Sequence, residues 1–314
     1  MRGCSLFEPP ARCLKPLQLV LWLGRTIESS KGRSIMSIKT ILTCLTDAQT
    51  ADAVLRASAL LARRHNAHVV GLHTIEALMV YPGIAMHVPD SVFAAYGQSQ
   101  KEQSAALKAM FEKHVHAEDF VAEWRLVKSQ SETAAERIVE SAQCADLVVM
   151  PAVDPNAQSN AHARLLEAVI RDAGRPVLVV PKDFKADTLG QEILIGWNGT
   201  REAVRAAHDA LTLLIEGDNA HIVRINDRSQ EVDRHAASND LAAAFARHNV
   251  KTTLVERSWE RPGVAAALSK EAFERGADMI AVGAFGHSKA YDLVIGAATR
   301  ELLQNMDFPV LFSR

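Results

Sequence analysis

Short apolar runs alternate with helix-like patterns along the chain from residue 39 onward. Residues 40–45 form an apolar run, residues 50 to 66 place apolar side chains at helical spacing, and residues 68–72 form a second apolar run. The runs favour buried strands, and the spacing between them favours an amphipathic helix. A strand, a helix and a strand in this order predict a βαβ unit with parallel strands.

The same order of patterns returns in the second half of the chain. Strand 193–197, helix 200–214 and strand 221–225 are predicted there. Three segments align between the halves: 68–70 with 221–223, 145–149 with 277–281, and 175–179 with 308–312, at offsets of 221 − 68 = 153, 277 − 145 = 132 and 308 − 175 = 133 residues. The chain is therefore predicted to carry two copies of one domain.

Further helices and strands complete each copy. Helices are predicted at about 98–114, 131–141, 233–247 and 262–275, and third strands at 122–127 and 251–255. Pro262 suits the start of a helix. Each copy then holds five parallel strands alternating with helices. The predicted fold class is α/β, with two tandem doubly wound domains whose ligands bind at the carboxyl ends of the strands.

The first copy is predicted to contain an insertion, because the offset falls by 153 − 132 = 21 residues. It is placed around residues 76–100, where Tyr81-Pro82-Gly83 and Val88-Pro89-Asp90 are expected to interrupt any regular element. The interpretations of this segment are a lid, a dimer contact, or neither of these.

The domain boundaries follow from the start of the first strand. Met36 leads directly into that strand, so residues 1–35 are interpreted as a disordered extension or an upstream start, with a poor signal peptide as the alternative. The apolar run at 17–23 is far shorter than the roughly 20 residues of a membrane-spanning helix. The first domain is expected at 36–182 and the second at 192–314.

Composition narrows the class of protein. The 314 residues are 48% hydrophobic and 23% charged, and the formal net charge is −2. This balance offers no concentrated basic patch for nucleic acid or for an anionic membrane surface. The four cysteines, Cys4, Cys13, Cys44 and Cys144, form no C-x-x-C pair, which favours reduced thiols in a cytoplasmic protein.

A glycine loop follows the predicted fourth strand of the second copy. Gly283 and Gly286 come directly after the apolar run 279–282, and a helical pattern opens at Ala297. Glycines let an anion approach bare backbone N–H groups, and the start of a helix offers further N–H donors. Phosphate binding and a plain tight turn both fit this pattern. It is not a Walker motif, because no Gly-Lys-Ser/Thr follows. It is not a dinucleotide fingerprint either, because that motif needs a glycine where this chain has Lys289.

The repeat and the loop together resemble a tandem universal stress protein. The nucleotide signature of that family is Gly, two residues, Gly, nine residues, then Gly and Ser or Thr, and Gly283, Gly286 and Gly296 fit it. The resemblance covers residues 36–314 and implies Rossmann-like, adenine nucleotide alpha hydrolase-like domains. It further implies binding of ATP, or of AMP or ADP, with magnesium carried only by the nucleotide, in a sensing or binding protein of the stress response.

Two departures from the family pattern lie in this motif. Ala297 stands where the family has Ser or Thr, although Thr299 is close by, and Asn198 stands where the family often has an acid. The cofactor-binding residues that the resemblance implies are Trp197, Asn198, Gly199, Thr200, Ile225, Gly283, Gly286, His287, Ser288, Gly296, Ala297 and Thr299.

The first copy has lost the signature. Its corresponding loop, 151–159, contains two prolines, which lack N–H donors, and Asp154, which would repel phosphate. This copy is expected not to bind nucleotide through that loop. By resemblance, the two copies are expected to pack across their fifth strands as an intramolecular counterpart of a dimer, and a homodimer of whole chains is left open.

Other chemistry finds less support in the sequence. His65 with His68, and His114 with His116, lack acidic or cysteine partners at ligand spacing, so surface histidines are expected and no metal site. No G-x-S-x-G motif or ordered triad is present, and no catalytic residue is assigned.

The sequence leaves alternative interpretations of the site and of the function. Trp197 either covers a base or fills the end of its strand, and Lys289 and Arg300 are the nearest cations to the loop. The alternative functions are a slow ATPase or phosphotransfer enzyme, for which no unambiguous acid is evident, and a nucleotide-free protein that acts through partners.

Overall fold

The structure is a computed structural model that describes residues 37–76, 83, 88–129, 133–154, 159–226, 235–258, 263–286, 297–304 and 306–314. In these residues the first copy holds β1 (Thr40–Cys44), α1 (Ala48–His65), β2 (His68–Glu76), α2 (Asp90–Val115), β3 (Ala122–Ser129), α3 (Ala134–Ala142), β4 (Leu147–Pro151), α4 (Ala161–Asp172) and β5 (Val177–Val180). The second copy holds β6 (Glu192–Gly196), α5 (Arg201–Leu213), β7 (Asn219–Asn226), α6 (His235–Ala246), β8 (Lys251–Ser258), α7 (Val264–Arg275), β9 (Met279–Gly283), α8 (Ala297–Gln304) and β10 (Val310–Ser313).

Local signals account for where several helices begin and end. The Asp47 carboxylate accepts hydrogen bonds from the backbone N–H groups of Gln49 and Thr50 and so caps α1. Asn66 ends α1 in the left-handed region, and Gly276 ends α7 in the same way. These ends lie within a residue or two of the predicted ones.

All ten strands form a single sheet in the order β3-β2-β1-β4-β5-β10-β9-β6-β7-β8. Within each copy the five strands are parallel, and the strand order reverses between the first and fourth strands. The prediction of two doubly wound α/β units is confirmed. In the second copy, the reversal lies between β6 and β9.

The two copies join through their fifth strands. β5 and β10 pair antiparallel, with Leu178 opposite Leu311, Val179 opposite Val310 and Val177 opposite Phe312. Val177 and Val310 hold equivalent places in their copies, because each is the first residue paired with its fourth strand. The pairing is therefore self-complementary about Leu178 and Leu311, both of which are fully buried.

The predicted alignment of the second strands is wrong by two residues. The Leu45 N–H donates to the Leu72 carbonyl, and the Trp197 N–H donates to the Val223 carbonyl. Leu72 and Val223 are thus equivalent, at an offset of 223 − 72 = 151 rather than 153 residues. A shift of two leaves every strand side chain on the same face of the sheet, so the hydrophobic pattern fits both alignments.

The insertion begins a helix earlier than predicted. α2 starts at Asp90, eight residues before the predicted start at residue 98, and Pro89 occupies its N-cap position. Proline is tolerated where a helix begins, because the N–H it lacks has no partner in the helix there. Val88-Pro89-Asp90 therefore starts a regular element instead of interrupting one. Residues 77–82 and 84–87, and Pro262, lie outside the described residues.

Each face of the sheet carries one apolar layer that continues from one copy into the other. On one face the layer includes Leu61, Phe111, Leu211 and Phe245, from α1, α2, α5 and α6. On the other face it includes Ile138, Leu166, Leu268 and Leu302, from α3, α4, α7 and α8. Residues 35–314 accordingly form one compact unit.

An Ala-Asp pair precedes the fourth strand of each copy. Its aspartate accepts hydrogen bonds from backbone N–H groups at or just before the first strand of the same copy. Asp146 accepts hydrogen bonds from the N–H groups of Lys39 and Thr40, at 2.7 and 2.9 Å. Asp278 accepts from Gly190 and Gln191, both at 2.9 Å. Burial raises the pKa of the Asp278 carboxyl, and the N–H donors oppose that change. The repetition of this pair thus has a structural reason.

Candidate functional site

A cavity of about 460 Å³ lies at the carboxyl ends of the central strands of the second copy. The strand ends contribute Gly196, Trp197, Val223, Ile225, Val282 and Gly283. Asn198, Thr200, Glu202 and Ala203 contribute from the start of α5, Val264 and Leu268 from α7, Thr299 and Leu302 from α8, and Gly286 from the glycine loop. The cavity thus lies beside the reversal of strand order, where open α/β sheets bind ligands.

The structure brings together seven of the site residues that the sequence suggested. They are Trp197, Asn198, Thr200, Ile225, Gly283, Gly286 and Thr299. Gly199 lies in the turn beside the cavity and does not line it, and α8 begins at Ala297. His287, Ser288, Lys289 and Gly296 lie outside the described residues. Arg300 is exposed on α8 and does not line the cavity.

The turn after β6 is organised by its own polar groups. The Asn198 Oδ1 accepts hydrogen bonds from the Thr200 N–H at 3.1 Å and from the Thr200 Oγ1 at 2.8 Å. Thr200 Oγ1 in turn accepts from the Ala203 N–H at 3.3 Å and so caps α5. Gly199 has a φ of +73°, which glycine adopts readily. Asn198 therefore shapes the start of α5 whether or not a ligand is bound.

Trp197 fills the end of its strand and also forms part of the cavity wall. Its residue surface is 8% exposed, and it packs in the same apolar layer as Ala203 and Ala207 of α5. Both of the roles suggested for it from sequence are thus compatible with its position.

The two described glycines of the loop meet different surroundings. A Cβ on Gly283 would lie 2.5 Å from the Glu202 carbonyl carbon and 2.6 Å from the Ala203 nitrogen. Close packing of the start of α5 against the end of β9 therefore requires glycine at 283. A Cβ on Gly286 would lie 2.8 Å from a Glu202 carboxylate oxygen, which is the movable end of a side chain.

The start of the glycine loop is held from the neighbouring strand. The Ala284 N–H donates to the Ser313 carbonyl at 2.8 Å. Phe285 has a φ of +64°, a conformation that non-glycine residues rarely adopt. The guanidinium carbon of Arg314 lies 5.5 Å from the centre of the Phe285 ring, a cation–π distance. These contacts fix the direction in which the chain leaves β9.

Glu202 is the residue that the sequence analysis missed. It is 8% exposed, lines the cavity and accepts a hydrogen bond from Arg201 Nε at 3.2 Å. Glu202 comes from the first turn of α5, and not from a strand end or from the glycine loop. An acid two positions after the capping residue Thr200 is common at helix starts, so the sequence did not mark Glu202 as a site residue.

Most of the remaining wall is apolar. Val223, Ile225, Val264, Leu268, Val282 and Leu302 contribute aliphatic side chains. Thr299, which is buried, and Thr200 add hydroxyl groups. A cavity of this size, with apolar walls and a few polar groups at one side, is typical of small-molecule sites.

In the first copy, a proline ends the fourth strand where the second copy has a glycine. The Ala152 N–H donates to the Val180 carbonyl at 2.8 Å, as Ala284 does to Ser313 in the second copy. Pro151 therefore corresponds to Gly283. His162 Nε2 lies 3.0 Å from the Pro151 carbonyl oxygen. Residues 155–158 lie outside the described residues.

The expectation that the paired histidines lie at the surface is wrong for His65, which is 4% exposed at the end of α1. Burial, with Arg64 and Lys39 nearby, lowers the pKa of His65 to about 4. His68 lies in β2, and His114 Nε2 is 2.8 Å from an Asp52 carboxylate oxygen. Within the described ranges, His, Cys, Asp and Glu side chains form no group of three or more that would hold a metal ion.

Two cysteines fall in the described part of the chain, and both are free thiols. Cys44 is buried and Cys144 is exposed, and burial raises the pKa of the Cys44 thiol. Among the described helices, none has the length and apolar character needed to cross a membrane.

The sequence is similar to that of a known protein family. The model of the universal stress protein family matches residues 37–181 and again residues 191–314. The universal stress protein Slr1230 of Synechocystis sp. is 26% identical over 153 residues, and the match spans 48% of this chain and 50% of that relative.

Solved structures agree in fold. A universal stress protein from Archaeoglobus fulgidus superposes with a TM-score of 0.67 at 14% identity, covering 88% of this chain and 96% of that one. A putative universal stress protein from Pseudomonas aeruginosa gives 0.56 at 16%, covering 88% and 94%. The two family matches together span most of the sequence. The chain therefore belongs to the universal stress protein family and carries two of its domains in tandem.

Proposed function

We propose that the second domain binds an adenine nucleotide in the 460 Å³ cavity, and that the protein acts in the stress response as a nucleotide-sensing or nucleotide-binding protein. ATP is the expected ligand, with AMP and ADP as the related alternatives. The observation that carries the proposal is that the cavity gathers Trp197, Thr200, Ile225, Gly283, Gly286 and Thr299 at the reversal of strand order.

The walls of the cavity suit the parts of such a ligand. Adenine would lie against the aliphatic side of the cavity, near Val223, Ile225 and Leu268. The phosphates would face Gly286 and the start of α8, where backbone N–H groups favour negative charge. Thr299 Oγ1 is the hydroxyl available in place of the one that Ala297 lacks. Magnesium would arrive with the nucleotide.

We infer that the first domain serves as the structural partner of the second. The pairing of β5 with β10 supports this proposal, because it joins the two domains through their fifth strands. The loop of the first domain, with Pro151 and His162 in contact, lacks the glycines of the signature. The proposal places the protein in the cytoplasm, where free thiols such as Cys144 persist.

Titration calorimetry of the full chain with ATP and magnesium tests this proposal. Gly286→Val would push two methyl groups toward the phosphate side of the cavity, and we expect binding to be lost while the fold is kept. Gly97→Val is the matched control, because a Cβ at Gly97 of α2 meets nothing within 4 Å. About one site per chain is expected in the parent and in this control.

Two results would count against nucleotide binding by the second domain. One is the absence of binding together with no nucleotide found by mass spectrometry in the purified protein. The other is retention of full affinity in Gly286→Val.

Slow hydrolysis of ATP is the second candidate function, because Glu202 supplies the acid for which the sequence offered no clear candidate. A carboxylate beside the phosphates is the type of group that orients an attacking water. Formation of ADP by the parent above the level of Glu202→Gln would support hydrolysis. Equal rates of ADP formation in the parent and in Glu202→Gln would argue against hydrolysis through Glu202 and leave nucleotide binding as the proposed function.

A further inference from the structure

The cavity has an unusual balance of charge. Of the described residues that line it, Glu202 is the one with a formally charged side chain. Its partner, Arg201, points to solvent with 84% of its side chain exposed. An ion pair with such an exposed partner neutralises a carboxylate weakly, because water screens the interaction. The described wall therefore presents a net negative charge.

The carboxylate stands on the phosphate side of the cavity. One of its oxygens is 2.8 Å from the point that a Cβ on Gly286 would occupy. Under the proposed function, the nucleotide phosphates approach this same loop. Phosphates and Glu202 are both anionic, and no lysine, arginine or histidine among the described lining residues separates them. Along the described wall, a metal-free nucleotide would thus meet like charge.

A divalent cation removes this conflict. Mg²⁺ takes oxygen ligands and is typically held by one or two carboxylates together with phosphate oxygens of the substrate. The backbone of Glu202 is held beside the cavity, because it packs against Gly283 and its helix is capped by Thr200. The other polar groups at this side, Asn198 and Thr200, are neutral.

We propose that Glu202 supplies a carboxylate ligand for a nucleotide-bound divalent cation and so makes the cavity selective for the metal complex over the free nucleotide. This inference rests on the proposed nucleotide binding and adds its charge requirement. Selectivity for the metal complex would then reside in α5, outside the glycine signature itself.

Calorimetry with four ligand conditions tests the role of Glu202. The full chain and Glu202→Gln are titrated with ATP plus Mg²⁺, with ATP plus EDTA, with adenosine, and with Mg²⁺ alone. The parent is expected to bind the magnesium complex at least tenfold more tightly than free ATP. In Glu202→Gln this ratio should fall to near one, mainly because free ATP binds more tightly.

Adenosine and a matched variant separate this role from a structural one. Adenosine carries no phosphate, so its affinity should be the same in the parent and in Glu202→Gln. Asp209→Asn is the control, since Asp209 is an arginine-paired carboxylate on the same helix that does not line the cavity. It should keep the metal dependence of the parent.

The outcomes distinguish the two proposals. Equal affinity of the parent for free and metal-bound ATP, or an unchanged ratio in Glu202→Gln, would overturn the role of Glu202 and leave nucleotide binding standing. Failure of the folded parent to bind ATP in either form, or adenosine, would overturn nucleotide binding and the role of Glu202 with it.

Discussion

Gly283 and Gly286 belong to one sequence motif, yet only one of them is explained by packing. The backbone of α5 lies so close to Gly283 that no side chain fits between helix and strand. Gly286 faces the carboxylate end of Glu202 and the cavity. One glycine of the motif is thus required by packing, and the other borders the cavity.

Alanine at each position should separate these roles. Gly283→Ala would force the backbone of α5 away from β9, and we expect a loss of about 2 kcal/mol in the free energy of unfolding, in the range for overpacked sites. Gly286→Ala displaces only a flexible carboxylate and should cost less than about 1 kcal/mol. Urea unfolding at neutral pH measures both, and equal losses would contradict the distinction.

His65 should make stability depend on pH. Its pKa is about 4 in the folded protein and near 6.5 when unfolded, so between these values the unfolded state binds more protons. Stability from this residue is therefore present above pH 6.5 and is lost as the pH falls toward 4. The loss between pH 7 and pH 5 should be about 2 kcal/mol.

His65→Gln is the variant that isolates this effect, because glutamine is polar and does not titrate. Urea unfolding at pH 7 and pH 5 should show a smaller drop in the variant than in the parent. The same drop in both proteins would assign the acid sensitivity to other groups, among them His73, whose pKa is also lowered by burial.

Among the helices, α7 is held by a buried carboxylate. Glu271 is 3% exposed and accepts hydrogen bonds from Arg257 Nε at 2.8 Å and Nη2 at 3.1 Å, as well as from Arg275 Nε. Arg257 belongs to β8, so the pair ties the helix to the edge of the sheet. Val264 and Leu268 of α7 line the cavity. The ion pair between Arg257 and Glu271 therefore helps to position a helix that forms part of the cavity wall.

Glu271→Gln should weaken this tether by about 2 kcal/mol, because a buried acceptor for two arginines loses its charge. Glu274→Gln is the comparison on the same helix, where the exposed pair with Lys270 at 3.9 Å should contribute within about 0.5 kcal/mol. Chemical denaturation compares the two. A smaller loss in Glu271→Gln than in Glu274→Gln would contradict this account.

Sequence patterns predicted that the strands exist, but they did not fix every helix start or the alignment of the two copies. Strands such as β4 and β9 are continuous apolar runs, and their existence follows from the need to bury both faces of a parallel sheet. The start of α2 at Asp90 was missed because Pro89 signals both a break and a helix start. The alignment of β2 with β7 was misplaced because a shift of two residues keeps the same faces buried.

The candidate site shows a different limit. Glycines that directly follow a buried strand mark a turn in the sequence, so Gly283 and Gly286 were predicted, and both line the cavity. Glu202 resembles any acid in the first turn of an exposed helix, and only the packing of α5 onto β9 turns it toward the cavity. Side chains that reach a site from another element carry no local signal.

For the molecule as a whole, the pairing of β5 with β10 makes one sheet and two continuous apolar layers. We expect the two domains to unfold in a single transition, with equal calorimetric and van't Hoff enthalpies. Leu178→Ala at the centre of the pairing should lower the stability of both together by about 3 kcal/mol. Leu126→Ala on β3, where the side chain is partly exposed, should cost much less.

Differential scanning calorimetry distinguishes one transition from two. Two resolved peaks, or a shift of one peak alone in Leu178→Ala, would show that the domains fold independently despite the shared sheet.

The self-complementary pairing about Leu178 and Leu311 joins two halves that are no longer alike. In a symmetric pair of identical subunits, occupancy of one site can alter the affinity of its twin. Here the glycine signature occurs once, and Pro151 stands in the first copy at the position that Gly283 has in the second. A ligand bound through that signature has no second, equivalent site within the chain. We therefore expect no homotropic cooperativity within one chain. Saturation should be hyperbolic with a Hill coefficient of one, and a sigmoidal curve would report contact between separate chains.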